Sequence, residues 1–307
     1  MVKLTQKVKE IALANNLDYI GIATAESLQN APEGEKPIDY LPGAKTVVSL
    51  GIKLSLGVQL ANKLAHSDPN RRHVIYSYLW HGFGLPSLHY IDRTALLITR
   101  LLEREGYLAV PAMSASTFDI RSSLMRFSNI HAAVAAGIGE LGWCDLVMTQ
   151  DAGAKARFGS IITTAELEPD PIYQGPRLCD LDKCRKLGSG MPVCARVCPT
   201  KAIGPNEKKV IIGGKDIKVA EIDPWRCVWG SMGLLKQSGG LKDIPMPEKV
   251  TPDNVFSALA QRDVVQSMEL MVIGRGDYCG KCIMSCPVAG QQKIDELLSI
   301  KKNGKTQ

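Results

Sequence analysis

Cysteine is the residue type in this chain whose number and spacing are best suited to chemistry. Residues 1–170 contain one cysteine, Cys144, and residues 171–290 contain the other eight. The first run is Cys179-x4-Cys184-x9-Cys194-x3-Cys198-Pro199, the second is Cys279-x2-Cys282-x3-Cys286-Pro287, and Cys227 lies between them. Thiolates this close together in sequence wrap around metal centres, so we expect metal ligands rather than disulfides.

Two 4Fe–4S clusters are the centres that this pattern favours. In bacterial ferredoxins, the cysteine that precedes proline ligates the other cluster of the pair. The same crossing predicts two complete ligand sets: Cys179, Cys184, Cys194 and Cys286 for one cluster, and Cys198, Cys227, Cys279 and Cys282 for the other. Structural zinc is the alternative, but zinc favours paired Cys-x2–4-Cys knuckles, which the Cys-Pro endings and the isolated Cys227 fit poorly.

Composition and charge limit the partners of such a protein. The 307 residues are 45% hydrophobic and 22% charged, which is typical of a globular chain. The net charge of +6 comes without a dense block of Lys and Arg, so we do not expect a nucleic-acid partner. A mildly basic surface instead suits an acidic, low-potential electron donor of the ferredoxin or flavodoxin type. Neither a bilayer-length apolar run nor a signal sequence is found, so we expect no membrane partner and a cytoplasmic location.

The elements that position these cysteines follow from hydrophobic periodicity. Alternating helix and strand patterns predict a helix-flanked sheet of the α/β (α+β) class in residues 1–170, a cysteine domain in 171–290, and a helix end with a polar tail in 291–307. We expect strands at 17–22, 46–52, 107–110 (closed by Pro111), 145–149 and 160–164. Helices are expected near 4–12, 89–105 and 129–136, the last capped by Asn129. The strand order is left open.

A glycine-rich string precedes the cysteines. It is Ala136-Gly137-Ile138-Gly139-Glu140-Leu141-Gly142-Trp143, and its glycines permit the backbone to approach a flat cofactor closely. Because the string follows a predicted helix rather than a strand, it is unlike a Rossmann phosphate site.

Together with the eight cysteines, this string resembles the cobalamin-dependent reductive dehalogenases and epoxyqueuosine reductases. Segments 18–23, 40–45 and Leu167-Glu168-Pro169-Asp170 are similar too, and the resemblance covers most of residues 5–290. It implies a nitroreductase-like domain that binds a base-off corrinoid, followed by a ferredoxin-like domain with two 4Fe–4S clusters. It also implies that electrons pass through the clusters to cobalt, for reductive dehalogenation or epoxide-type reduction of a small molecule.

The resemblance implies two groups of site residues. The candidates for proton donation and the substrate face are Asp119, Arg126, Asn129 and Tyr90. The candidates for corrinoid contact are Gly137, Gly139, Gly142, Trp143, Lys155, Arg157 and His131. Ordinary structural roles stand beside these: an exposed acid for Asp119, a helix cap for Asn129, a buried, hydrogen-bonded ring for His131 and a solvated basic loop for Lys155 and Arg157. We interpret Cys144 as a core thiol.

Three functions remain open at this point. The leading hypothesis is a corrinoid-dependent, two-cluster reductase. The alternatives are a ferredoxin-like electron-transfer protein without corrinoid chemistry and a flavin-dependent reductase on the same fold. Only the corrinoid-dependent reductase is expected to bind cobalt. Only the flavin-dependent reductase is expected to show a yellow flavin spectrum after the clusters are bleached.

Overall fold

The computed structural model describes residues 2–114, 118–119, 124–125, 127–240, 243–261 and 278–289. The helices are α1 Val2–Ala14, α2 Pro37–Tyr40, α3 Leu56–Ser67, α4 Ile75–Leu79, α5 Asp92–Arg104, α6 Asn129–Ala135, α7 Leu181–Leu187, α8 Val193–Val197, α9 Pro224–Ser231, α10 Pro252–Ala260 and α11 Lys281–Met284. Short 3-10 turns cover Ala25–Leu28, Pro69–Val74 and Lys236–Ser238, and a wide π-type segment covers Trp80–Ile91. In this part of the chain, no helix combines the length and hydropathy needed to cross a bilayer.

In the described ranges, ten strands form one main sheet and three two-stranded pairs. They are β1 Tyr19–Thr24, β2 Thr46–Lys53, β3 Ala109–Ala112, β4 Phe118–Asp119, β5 Leu124–Met125, β6 Glu140–Leu141, β7 Val147–Met148, β8 Ala156–Thr163, β9 Ile203–Ile212 and β10 Lys215–Ile222. The main sheet has the order β1-β2-β8-β3, and every neighbouring pair is antiparallel. The predicted mixture of helix and sheet is therefore confirmed, with antiparallel sheets. The pairs β4-β5, β6-β7 and β9-β10 are separate.

Helices cover both faces of the main sheet, as the apolar runs of its two central strands require. On one face α1 and α5 pack on the sheet, and α5 buries Ala95, Ile98 and Leu102 at helical spacing. On the other face, α6 packs against β2 and β8. Ile212 and Val219 of the β9–β10 hairpin join that second cluster, so the half of the chain that carries the cysteines completes the core of the first half.

Several element boundaries differ from those predicted, and three of the differences have an evident physical reason. α5 begins at Asp92, because the preceding residues form the π-type segment that contains Pro86. Pro111 lies inside β3 rather than after it, which is tolerated because β3 is an edge strand and needs no ladder N–H on its outer side. α6 is capped by Ser128, whose Oγ accepts the backbone N–H of His131 at 3.1 Å, and not by Asn129.

The predicted boundary near residue 170 is held firmly against the sheet. The Asp170 backbone N–H donates to the Ile22 carbonyl at 2.8 Å, and its Oδ2 accepts the Ile22 N–H at 2.9 Å. Lys9 Nζ lies 2.6 Å from Asp170 Oδ1. Asp170 therefore fixes the chain to β1 where the first half ends; the division into two domains stays a prediction.

Candidate metal centre

Four cysteines from the two distant runs line one cavity of about 290 Å³. Cys184 lies on α7 and Cys194 on α8, Cys179 lies two residues before α7, and Cys286 lies two residues after α11. Much of the remaining lining is apolar, including the side chain of Met148. The structure thus brings together the four cysteines of one predicted ligand set, although Cys286 is far from the other three in sequence.

Backbone N–H groups are directed at the sulfur atoms of this cavity. The N–H of Trp143 donates to Cys179 Sγ at 3.4 Å, and that of Val193 donates to Cys184 Sγ at 3.3 Å. Cys286 Sγ also accepts backbone N–H groups. Hydrogen bonds of this kind stabilise the thiolate form and set the reduction potential of iron–sulfur clusters.

Burial favours the protonated form of three of these thiols, those of Cys179, Cys184 and Cys286. It raises the pKa of Cys179 to about 11, and it also raises the pKa of Cys184 and that of Cys286. A hydrogen bond from the Cys144 thiol lowers the pKa of Cys194. Metal ligation therefore has to displace protons from these sulfurs, which makes loading of the cavity dependent on pH.

Cys144 is a cavity residue that the sequence analysis assigned to the core. It is buried as expected, but it lines the same cavity as the four cysteines, and its thiol hydrogen-bonds Cys194. No spacing pattern distinguishes it, since it lies outside both cysteine runs. Its position after Trp143, at the end of the glycine-rich string, is the one feature that connects it to the site.

The second predicted ligand set is less closely defined. Cys198 follows α8, Cys282 lies on α11, and these two helices pack against each other. Cys198 Sγ accepts the backbone N–H of Ala202 at 3.2 Å. Cys227 on α9 is exposed. Among the described residues, no three His, Cys, Asp or Glu side chains of either ligand set converge on a single-ion site, so both clusters stay predictions.

The first cavity fits a cluster better than a zinc ion. Thiolates that bind zinc surround it at about 2.3 Å and leave no space between them. Here the four thiols share the lining of a cavity of about 290 Å³ with other residues, and N–H donors are directed at three of their sulfurs. The donor set and the N–H···S bonds are those that a 4Fe–4S cluster uses, and the cluster itself stays a prediction.

The three glycines of the predicted corrinoid site are packed against the chain itself. A Cβ on Gly137, whose φ is +75°, would lie 2.1 Å from the Pro171 carbonyl oxygen. A Cβ on Gly139 would lie 2.2 Å from the Met148 carbonyl oxygen, and one on Gly142 would meet the Met148 side chain. The close approach that these glycines permit is therefore between segments of the protein.

The basic candidates for corrinoid contact are also engaged internally. Arg157 Nε donates to the Gly82 carbonyl at 2.9 Å, Nη2 donates to the Tyr78 hydroxyl at 3.0 Å, and the guanidinium lies over the Phe83 ring. His131 Nε2 lies 3.3 Å from Asp145 Oδ1.

Lys155 and Trp143 belong to the cysteine region. Lys155 Nζ donates to the carbonyl oxygens of residues 286, 288 and 289, and burial lowers its pKa, an effect that Cys286 opposes. Trp143 lines the cysteine cavity, with its indole N–H buried and without a partner among the described residues. Corrinoid binding by these residues stays a prediction.

Of the four catalytic candidates, the structure describes the side chains of Asn129 and Tyr90. Asn129 is buried, and its Nδ2 donates to the Met113 carbonyl at 3.0 Å. Tyr90 is 40% exposed and lines a separate cavity beside the end of α1. The Asp119 backbone pairs with Leu124 in the β4–β5 hairpin. The Asp119 side chain and Arg126 lie outside the described residues, so the proton donor stays a prediction.

Comparison with known proteins gives relatives for part of the chain. No family model matches it. A tetrachloroethene reductive dehalogenase of Dehalobacter restrictus (strain DSM 9455 / PER-K23) is 31% identical over 137 residues, which are 44% of this chain and 21% of that protein. One from Desulfitobacterium hafniense matches equally. The match spans about a fifth of the length of these relatives. It confirms the resemblance to the reductive dehalogenases, which are oxidoreductases.

Solved structures are similar over most of the chain. A reductive dehalogenase described in terms of B12-dependent dehalogenation has a TM-score of 0.47 and 19% identity, covering 95% of this chain and 36% of the other. An epoxyqueuosine reductase from Streptococcus thermophilus has a TM-score of 0.43 and 17% identity, covering 98% of this chain and 86% of the other.

Proposed function

We propose that this chain, a relative of the reductive dehalogenases, is an iron–sulfur oxidoreductase of the corrinoid-linked class. The observation that carries the proposal is the cavity shared by Cys179, Cys184, Cys194 and Cys286, with backbone N–H groups directed at its sulfurs. Seven cysteines in two Cys-Pro runs and Cys227 between them supply ligands for two 4Fe–4S clusters, and the ninth cysteine, Cys144, stays a thiol. A nitroreductase-like first half and a ferredoxin-like second half are part of this proposal.

The chain's own residues bind, orient and shield the first cluster. The four cysteines supply its ligands, and the N–H groups of Trp143 and Val193 stabilise the charge on two of the sulfurs. Apolar walls that include Met148 exclude water, which strengthens each of these interactions. A bound cluster supplies one-electron transfer.

The remaining cysteines define the side at which electrons enter. We assign Cys198, Cys227, Cys279 and Cys282 to the second cluster, in which Cys227 is the exposed member. A low-potential donor of the ferredoxin or flavodoxin type is the proposed partner, because its acidic surface suits a chain of net charge +6. The proposed location is the cytoplasm, where cysteines are kept reduced and are available as metal ligands.

The corrinoid is proposed from the relationship to the dehalogenases alone. Gly137, Arg157 and Lys155 make their described contacts within the protein and not to a corrinoid. The proposed substrate is a small molecule with a reducible carbon–halogen or epoxide carbon–oxygen bond. A protein side chain supplies the proton that such a reduction consumes.

The experiment that tests this function is metal analysis of anaerobically purified chain, reconstituted with iron, sulfide and hydroxocobalamin. Two clusters give about eight irons per chain. We expect that number, together with one tightly held cobalt and a base-off corrinoid spectrum. Fewer than about four irons contradict the cluster assignment. Eight irons without cobalt contradict the corrinoid and retain the iron–sulfur function.

A two-cluster electron carrier is the second candidate. The internal engagement of Arg157 and Lys155 favours it, since both side chains use their N–H groups within the protein. The carrier gives no product from halogenated or epoxide substrates when it is reduced, whereas the reductase does. A flavin spectrum after the clusters are bleached distinguishes the third hypothesis.

A further inference from the structure

Lys155 is a buried cation whose side-chain hydrogen bonds, within the described part of the chain, all go to one short segment. Its side chain is 1% exposed. Nζ donates to the carbonyl oxygens of Cys286 at 2.9 Å, Val288 at 3.0 Å and Ala289 at 2.9 Å. An ammonium has three N–H donors, and these three carbonyls satisfy all of them.

The segment that Lys155 binds carries the ligand contributed by the second cysteine run. Cys286 is the only member of the first cluster set that does not come from residues 179–194. Beside Lys155, Gly153 has a φ of +59°, and a Cβ there would lie 2.1 Å from the Val288 carbonyl oxygen. Residues 153–155 therefore form a seat for residues 286–289. This seat places the Cys286 sulfur at a cavity whose other ligands are fixed separately.

The charge of Lys155 lacks an anionic partner among the described residues. Its hydrogen-bond acceptors are neutral carbonyls, and the side chain of Cys286 is the ionisable group whose negative charge would stabilise it most. Lys63 adds a second positive charge nearby. A buried cation without a counter-ion is unfavourable. A cluster ligated by four thiolates is negatively charged, and it would supply that counter-ion beside Cys286.

We propose that Lys155 is a positioning residue and the built-in counter-charge of the cluster at Cys179, Cys184, Cys194 and Cys286. This inference rests on the proposed function, because it requires a cluster in that cavity. Lys155 holds Cys286 at the cavity through three hydrogen bonds. Its charge stabilises the reduced cluster more than the oxidised one, because reduction adds one electron to a centre that is already negative.

Three variants separate the charge from the hydrogen bonds. Lys155→Gln removes the charge but keeps two N–H donors, and Lys155→Arg keeps the charge in a planar group that cannot reproduce the same three bonds. Lys183→Met is the matched control. Lys183 also lines the cavity, but its side chain is 83% exposed, so solvent screens its charge. Each protein is reconstituted, its iron is counted, and the midpoint potential of the cavity cluster is measured by a redox titration followed by electron paramagnetic resonance.

The expected results differ between the variants. In K155Q the equilibrium constant for one-electron reduction of the cavity cluster falls about tenfold, which is about 59 mV. In K155R this constant stays within about threefold of the wild-type value, but fewer chains carry the cavity cluster after reconstitution. In K183M both the constant and the iron content stay within about threefold of wild type.

Two outcomes overturn the inference, and a third one overturns the proposed function instead. Wild-type values in both K155Q and K155R show that Lys155 neither tunes nor positions the cluster. If K155Q fails to fold, K155R is the deciding variant. A tenfold fall in its equilibrium constant for one-electron reduction would contradict the counter-charge role, because K155R keeps the positive charge. If the reconstituted wild-type protein carries no cavity cluster, the proposed function is contradicted. The wild-type protein alone gives this result, so it is distinguishable from a failure of the Lys155 inference.

Discussion

The carboxylate of Glu140 accepts the backbone N–H of Cys179 at 2.5 Å. The same oxygen accepts the N–H of Leu178 at 2.8 Å. Glu140 is the acidic residue of the glycine-rich string, and Cys179 is the first ligand of the first cysteine run. The string that we expected to contact a flat cofactor therefore holds the loop that begins the proposed cluster site.

Replacing Glu140 should damage the cavity cluster selectively. Glu140→Leu leaves two N–H groups without their acceptor, at about 1–3 kcal/mol for each buried donor. We expect the loop at Cys179 to shift and the iron content to fall toward about four atoms per chain. Glu166→Leu is the control, because its carboxylate is 64% exposed. Equal iron content in the two variants would show that Glu140 does not position the ligand.

Crossed ligation predicts that one cysteine from each run serves the other run's cluster. Cys286→Ala should remove the cluster at Cys179, Cys184 and Cys194, and Cys198→Ala should remove the other one. Each variant then retains about four of eight irons, and their electron paramagnetic resonance signals differ. Loss of all iron from either variant, or the same residual signal in both, would require a new ligand assignment.

Cys144 should be dispensable for iron binding although it lines the cavity. Its thiol hydrogen-bonds Cys194, which itself belongs to a complete set of four ligands. We expect Cys144→Ala to retain about eight irons and to change the signal of the cavity cluster, because Cys194 loses a hydrogen bond. A drop to about four irons would make Cys144 a ligand in place of one of the four.

Gly137 and Gly106 form a matched pair for separating strain from contact. Both have positive φ, +75° and +89°, but a Cβ on Gly106 meets nothing within 4 Å, whereas one on Gly137 meets the Pro171 carbonyl. Gly106→Ala should cost about 1–2 kcal/mol in the free energy of unfolding from strain alone. Gly137→Ala should cost about 1–3 kcal/mol more. Urea unfolding without added cobalamin measures this. The contrary outcome is an equal loss of unfolding free energy in the two variants, with weaker cobalt binding only in G137A. That result would support a role of Gly137 in the corrinoid site.

Asp145 should make part of the stability depend on pH. Burial pushes its pKa up, but the hydrogen bonds from His131 and Lys208 outweigh burial and hold the pKa below its ordinary value. A lowered folded-state pKa adds stability above the unfolded-state pKa of about 3.9, and that stability is lost as pH falls through the folded-state value.

Asp145→Asn is the variant that tests this linkage. Asparagine tolerates the φ of +57° at this position, so the change removes charge without adding strain. We expect a loss of about 1–2 kcal/mol at pH 7, and a smaller difference from wild type as pH falls below about 4. The measurement is denaturant unfolding of both proteins across that range. A difference that does not change with pH would exclude the charged network as its cause.

Local patterns in the sequence predicted part of the elements and proposed the ligand sets, which stay predictions. Helical spacing in α5 and apolar alternation or runs in β1, β2 and β8 are set within a few residues, so each was predicted to within about four residues, and boundaries are set by caps and turns. The cysteine spacing likewise predicted that Cys286 belongs with Cys179, Cys184 and Cys194. That the four line one cavity is a property of the described structure.

Tertiary structure decided what the other candidate residues touch. Gly137 and Gly139 were expected to face a flat cofactor, yet they admit the carbonyl groups of Pro171 and Met148. Lys155 was expected to bind a corrinoid, yet its three N–H groups bind the chain after Cys286. A glycine or a lysine shows in sequence only that close approach or positive charge is available. Which surface supplies the partner depends on contacts between segments that are separate in sequence, by 131 residues for Lys155 and Cys286. These contacts arise only when the sheet, the helices and the two cysteine runs pack together.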